Sequence, residues 1–493
     1  MGNRPERLDR SEVATRSARV QRTLAQFYAA LLLELVARYD EAKDERPSVL
    51  AKLRTEWHNI SNSQEWSIHH APNDPVAEEL LGLLRGVTSS ALKLVLGPIQ
   101  RIKWLEELLP ETQDTDDEKV LVLLGNLANA YADIDQASKA IDLLRSLLSA
   151  AEGNGFGKIE MTALAQLGNL YANQSELDKA VQFYRRSLVS LRDTDNKLAE
   201  ASILNNIGHI HRRKSEYREA QDAFQQAHDT FEAMGERVHQ AITLGGLATI
   251  ARSIGEPERA LMLQTERLVI FRELGVRNLD EAKALSGLGL AQYDLELYDD
   301  AEQSFLSALR ITRELGARAS EAMDLGNLGL VYAARGAFEQ AYDASVQQFE
   351  VAHELGDKLT ESNALGSMGT AAKNMGRLAV AMQFKQKQLD LSRKIGNQRG
   401  QASAHGGLSM ILLELEDYDR AWSHHLLSLQ IFQDIGDVAG EGRQLINGAQ
   451  IEITRGNLEE ALACLDEAEA VLPTSCRKER DELTQLRRSI QAA

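Results

Sequence analysis

The chain has 493 residues, 43% of them hydrophobic and only 5% aromatic, which suits about two to four helical domains better than a β-sandwich. Its 73 acidic residues outnumber 55 basic ones, for a formal charge of −18, which argues against general binding of nucleic acid or anionic membrane. Cys464 and Cys476 are the two cysteines. They offer neither a disulfide framework nor a clustered zinc site, so a reducing cytosol is the expected compartment.

The first 110 residues have their own texture. They hold three of the four tryptophans (Trp57, Trp66 and Trp104) and six of the eight prolines. The longest apolar run, Phe27 to Ala37, is too short to span a membrane and carries Glu34. The Arg-rich stretch before it also contains Glu6, Asp9 and Glu12, and no small-residue cleavage site follows, so no signal peptide is expected. The region from Phe27 to His70 reads as helix with a break near Pro47.

From there on, the sequence repeats itself. Stretches such as "LGNLYANQSELDKA" (167–180), "IGHIHRRKSEYREA" (207–220) and "LGLVYAARGAFEQA" (328–341) each place an alanine twelve positions after a small residue. The alanines recur at Ala140, Ala180, Ala220, Ala260, Ala301, Ala341, Ala381, Ala421 and Ala461, with steps of 40 and a single 41. Glycines at 235, 275, 316, 356, 396 and 436 hold a second fixed phase, as expected of residues that end helices in the left-handed conformation. Within a unit, Leu325, Leu328, Val331 and Tyr332 form one helical stripe, and Phe338, Ala341, Ala344 and Phe349 continue it after a turn. Each unit therefore reads as two antiparallel helices. Gly168, Gly208, Gly289, Gly329 and Gly369 would let the two approach closely, and Tyr217, Tyr298, Phe338 and Tyr418 would fill the turn.

This pattern resembles the tetratricopeptide repeat, in its long forty-residue form, over roughly residues 118 to 472. The resemblance implies an all-α fold, a right-handed α-solenoid of helical hairpins. Residues 1–110 would form an N-terminal helical cap, in which "RIKWLEELLP" (101–110) serves as the second helix of a degenerate first repeat. Residues 111–472 would form nine repeats, and 473–493 a polar capping helix. A second, shorter resemblance lies in Leu53, Glu56, Asn59 and Ile60. It is similar to the helical linker of bacterial STAND-type regulators, although no nucleotide-binding loop is present. The nearest candidate, "GNGFGKI" (153–159), has its glycines one residue too close and Ile159 where a hydroxyl is needed.

"NNIGHIHRRKSEY" (205–217) concentrates the polar chemistry. His209 and His211 lie two apart and point to opposite sides of a helix, so they cannot share a metal ion. His211 aligns with Tyr131, Tyr171 and Tyr332 and is expected to be packed between helices. Asn205, His209 and Arg212 are spaced i, i+4, i+7 and form one stripe, flanked by Arg213. The resemblance places this stripe in the concave groove. There Asn126, Asn129, Asn169, Asn173, Asn327, Asn363 and Asn374 recur at a few phases, and Arg252 and Lys373 repeat the place of Arg212. Side-chain amides can bond an extended peptide backbone, and arginine recognises carboxylates. Gly245, Gly326, Gly366 and Gly406 are expected to leave room for the ligand. The histidine pairs at 69–70 and 424–425 lack metal-ligand spacing, and no catalytic motif appears. The expected function is non-catalytic: a scaffold that binds an acidic or C-terminal segment of another protein, with no cofactor, metal, nucleic acid or membrane. A trigger-sensing regulatory subunit controlling a separate effector is the alternative.

Overall fold

Every forty residues the backbone makes the same two breaks. At the first the chain turns through a left-handed residue: Asp135, Ser175, Ser215, Gly255, Glu296, Gly336, Gly376, Glu416 and Gly456, with φ from 59° to 84°. Between hairpins the same conformation falls on Gly155, Gly235, Gly275, Gly316, Gly356, Gly396 and Gly436, with φ from 62° to 73°. All six glycines expected to end helices do so.

The computed structural model describes residues 10–41, 45–85, 90–110, 117–191, 196–275, 278–473 and 476–492. Among these there is helix and no strand. Five helices come first: α1 (Arg10–Glu41), α2 (Arg46–His70), α3 (Pro75–Arg85), α4 (Ser90–Val95) and α5 (Pro98–Glu107). Pro47 sits in the first turn of α2, so the expected break is a helix start. Helical pairs follow. Two are α6 (Glu118–Ala132) with α7 (Ala137–Asn154) and α8 (Gly157–Asn173) with α9 (Leu177–Leu191). Next, α10 (Lys197–Arg213) packs on α9, and α11 (Tyr217–Ala233) packs on α12. Two more pairs are α12 (Arg237–Ser253) with α13 (Pro257–Glu273), and α14 (Leu279–Asp294) with α15 (Tyr298–Glu314). Then come α16 (Arg318–Ala334) with α17 (Phe338–Leu355), α18 (Lys358–Asn374) with α19 (Leu378–Lys394), α20 (Gln398–Glu414) with α21 (Tyr418–Asp434), and α22 (Val438–Arg455) with α23 (Leu458–Val471). A last helix, α24 (Arg477–Ala492), packs on α22 and α23.

The chain divides into two compact units, residues 1–214 and 215–493. In the first, Leu32, Leu35, Leu53 and Ile60 are fully buried and share one core with Trp104 and with Leu123, Leu127 and Ala130 of α6. The N-terminal helices and the first pair are thus continuous in packing. The residues at the boundary expected near 110, 111–116, lie outside the described residues.

Helices within a pair come close because glycine on one faces a ring on the other. A Cβ on Gly168 would sit 2.7 Å from the Tyr184 ring, and one on Gly289 would sit 2.9 Å from Phe305. In unit 2 the first helices also touch each other in series, α12 to α14, α14 to α16, and on to α22 and α24. The second helices make no comparable row among the described residues. Within unit 2 the first helices therefore form the tighter side of the stack.

Candidate protein-binding site on the first helices

In unit 1 the site residues lie along α6, α8 and α10. Asn129, Asn169 and Asn173 are exposed, and Asn126 is half-buried. Asn169 is already engaged, since its Oδ1 accepts a 2.5 Å hydrogen bond from the Tyr184 hydroxyl. On α10, Asn205, His209 and Arg212 are half-buried. The Asn205 Oδ1 is buried without a hydrogen-bond partner, an open acceptor that costs free energy unless something donates to it.

His209 carries no charge at neutral pH. Burial, with the neighbouring Arg212 guanidinium, pushes its pKa down from 6.5 to about 4. The positive charge of the stripe thus rests on the arginines alone. Arg213 is tied back to the preceding pair and donates to the Ala172 carbonyl (2.6 Å) and the Ser175 hydroxyl (3.1 Å). His211 is buried.

In unit 2, Asn363 and Asn374 are exposed and Asn327 is half-buried. Arg252 and Lys373 are not free cations. Arg252 Nε donates to Asp294 at 2.5 Å, and Lys373 Nζ to Glu414 at 2.8 Å. Both carboxylates end the next first helix, so a recurring cation-to-carboxylate ladder links successive pairs. At the phase of Asp294 and Glu414, the residue that follows Arg212 is Ser253, which carries no charge.

The glycines expected to make room for a ligand instead make room for the protein itself. The space a Cβ would take is filled by Arg267 at Gly245 (2.8 Å), Gln348 at Gly326 (2.5 Å), Gln388 at Gly366 (2.6 Å) and Gln444 at Gly406 (2.6 Å). Long polar side chains occupy these gaps because no side chain on the glycine opposes them.

Lys385, Asp324 and His405 of unit 2 were missed in the sequence. Lys385 is buried and donates from Nζ to the Gly366 carbonyl (2.7 Å) and to Thr370 Oγ1 (3.0 Å). Burial, together with Lys373, lowers its pKa to about 8. Asp324 accepts from Ser286 (2.6 Å) and Thr312 (3.3 Å), and burial raises it to about 6. His405 and His424 meet through Nδ1 atoms 2.8 Å apart, and burial holds His405 and His425 near 4. A signal for Lys385 and His425 was present. The phase that carries Tyr184, Phe224 and Phe305 carries Gln264, Ser345, Lys385 and His425 in four other repeats, and Leu144 and Leu465 in the remaining two.

Among the described residues no group of three or more acidic, histidine or cysteine side chains could hold a metal ion. No helix there is long and apolar enough to cross a membrane. The Gly153–Ile159 stretch is a helix end and a helix start, with Gly155 as a left-handed cap.

The tetratricopeptide repeat family matches residues 159–233 and 199–273. No curated protein matches the sequence. Among solved structures, a Rap protein complexed with competence and sporulation factor is similar at 16% identity and a TM-score of 0.51. That match covers 79% of this chain and 99% of the other. Aspartyl phosphate phosphatase F from Bacillus subtilis is similar at 15% identity and a TM-score of 0.51, over 73% of this chain and 94% of its own. Hairpins in forty-residue register, together with these matches, make this an all-α solenoid, a helical repeat protein of tetratricopeptide type. Its architecture is that of a protein-interaction scaffold.

Proposed function

We propose that the chain is a non-catalytic cytosolic adaptor that holds an acidic or carboxyl-terminal segment of another protein on the first helices of unit 1, through the basic stripe on α10. The observation that carries this reading is the contrast between three cations at one place in the repeat. Arg252 and Lys373 are neutralised by Asp294 and Glu414, whereas the residue following Arg212 at that phase is Ser253. The open acceptor on Asn205 lies two turns before Arg212 on the same stripe. A peptide would satisfy both: its backbone N–H would donate to Asn205, and its carboxylate would take the guanidinium of Arg212. In the same unit, the exposed asparagines Asn129, Asn169 and Asn173, with half-buried Asn126, would hold neighbouring backbone without dictating sequence. Neither a cofactor nor a metal is required.

The test is affinity purification from the native host with the parent, Arg212→Glu and Arg252→Glu. Arg212→Glu should lose the partner, at a cost of about 2–5 kcal/mol for a buried charged contact. Arg252→Glu should retain it. Binding should weaken with salt and stay flat from pH 7.5 to 6, because His209 titrates near 4. Parental capture by Arg212→Glu would remove α10 as the site.

A second reading is a trigger-sensing regulatory subunit. It is favoured by the STAND-like residues Leu53, Glu56, Asn59 and Ile60, and by the similar Rap structure having been solved with competence and sporulation factor. A scaffold keeps a constant affinity for its partner, while a sensor's affinity changes when its trigger binds. Pull-downs with and without small-molecule extract separate the two.

A further inference from the structure

The first residues of α24 carry the wrong charge for their own helix. Arg477 and Lys478 open it, although a helix N-terminus favours anions. Their contacts explain the choice. Arg477 Nη2 donates to the Gly255 carbonyl at 3.2 Å, and its Nη1 lies 3.6 Å from Glu258. Gly255 is the left-handed residue just past the end of α12, so the guanidinium sits at the negative end of that helix dipole. Lys478 Nζ lies 5.9 Å from the centroid of the Tyr293 ring, within reach of a cation–π interaction. Tyr298 meets Tyr293 edge-on with centroids 5.7 Å apart. Tyr293 belongs to the last turn of α14, a second helix C-terminus. Gly255, Tyr293, Tyr298, Arg477 and Lys478 border a cavity of about 720 Å³.

Two helix C-termini, a carboxylate and a pair of tyrosine faces make a seat for cations, and the protein's own Arg-Lys dipeptide fills it. We propose that this seat, formed by Gly255, Glu258, Tyr293 and Tyr298, is a docking site for a basic segment of a partner protein, which competes with Arg477 and Lys478. The cis contact suits exchange. Arg477 and Glu258 are 60% and 63% exposed, and salt weakens such pairs. The rest of α24 stays anchored when the clasp opens, because Leu483 and Ile490 are buried against α22 and α23. The seat lies in unit 2 and selects the opposite charge from the α10 stripe, so either reading can fail without the other.

The test uses the full chain and a labelled peptide of residues 477–486, RKERDELTQL. By fluorescence anisotropy at low salt, the Arg477→Glu/Lys478→Glu protein, its seat vacated, should bind the peptide at least tenfold more tightly than the parent. Adding Glu258→Lys and Tyr293→Ala to that protein should abolish the gain. Equal binding by parent and double variant, or a gain that survives the two seat substitutions, overturns the proposal. Hydrogen exchange on the parent gives a readout that needs no variant. Amides of Gly255, Glu256 and Glu258 and of 477–482 should exchange faster in 500 mM than in 50 mM sodium chloride (roughly the range over which screening of exposed pairs becomes complete), and exchange unaffected by salt also overturns it.

Discussion

Replacing Lys385 with methionine should make the protein more stable. The ammonium lies in the interior, with its stem against α18 and α20: a Cβ on Gly369 would sit 3.1 Å from its Cε, and one on Gly407 would sit 2.5 Å from it. Its pKa falls from 10.5 to about 8, first through burial and then through Lys373. A fall of that size corresponds to roughly 3 kcal/mol of discrimination against the charged form. The hydrogen bonds to Gly366 and Thr370 return part of this, which leaves a cost of about 1–3 kcal/mol at pH 7. Methionine matches the stem in length and flexibility. It strands no acceptor either, because the Gly366 carbonyl still receives the Thr370 hydroxyl at 3.0 Å. The sign of the pH effect follows from the same fall. Between pH 8 and 10.5 the unfolded chain binds more protons at this residue than the folded one, so the parent gains stability relative to Lys385→Met as pH rises through that window. Urea unfolding of both proteins at pH 7 and pH 9.5 measures the effect. A Lys385→Met protein that is less stable than the parent at pH 7, or a gap that does not narrow by pH 9.5, would refute the reasoning.

Acid should weaken the fold through His425, whose folded pKa of about 4 lies below the ordinary 6.5. That contribution is complete above pH 6.5 and is lost as pH falls toward 4, so His425→Gln should flatten the acid limb of the stability profile by about 1–3 kcal/mol in urea titrations. Glu416 holds a left-handed φ of 62° without a glycine's freedom. Glu416→Gly should therefore raise stability by about 0.5–1 kcal/mol, seen as a higher denaturation midpoint.

The fold was legible because its signals are periodic and local. Nine alanines in register and six helix-ending glycines fix where each helix stops, and no distant contact is needed to read them. The spacing of Asn205, His209 and Arg212 was legible as one half-buried stripe on α10. What could not be read from one helix is how the next one completes it. Whether a cation is free depends on a residue about forty positions on, Asp294 for Arg252 and Glu414 for Lys373. The glycines misled for a related reason. A gap in one helix says nothing of what fills it, although the sequence holds a hint. Gly245, Gly326 and Gly366 are each followed twenty-two residues later by a long polar side chain, Arg267, Gln348 and Gln388. Gly406 is followed there by Ser428, and Gln444 of α22 fills the gap instead.

The polar row within unit 2 sets where the stack should open first. In an array of helical pairs, stability is close to a sum of each pair and its neighbouring interfaces, so local composition decides local opening. At one phase α15 carries Phe305, fully buried against Gly289, while α17, α19 and α21 carry Ser345, Lys385 and His425. Burying a phenylalanine contributes roughly 1.5–3 kcal/mol, whereas a buried, bonded polar group adds about 0.5–1.5 kcal/mol. Lys385 also loses stability by being held in a medium that disfavours its charge. The pairs α18/α19 and α20/α21 should therefore open at lower free energy than α14/α15, even though all three share the same turns and register. Native-state hydrogen exchange resolves the order: amides of α18 to α21 should exchange before those of α14 and α15. In the Lys385→Met protein the protection of α18 and α19 should rise toward that of α14 and α15. If α18 to α21 are the slower set in the parent, the polar row is not the weak point of the stack, and its hydrogen bonds contribute more than the apolar packing they replace.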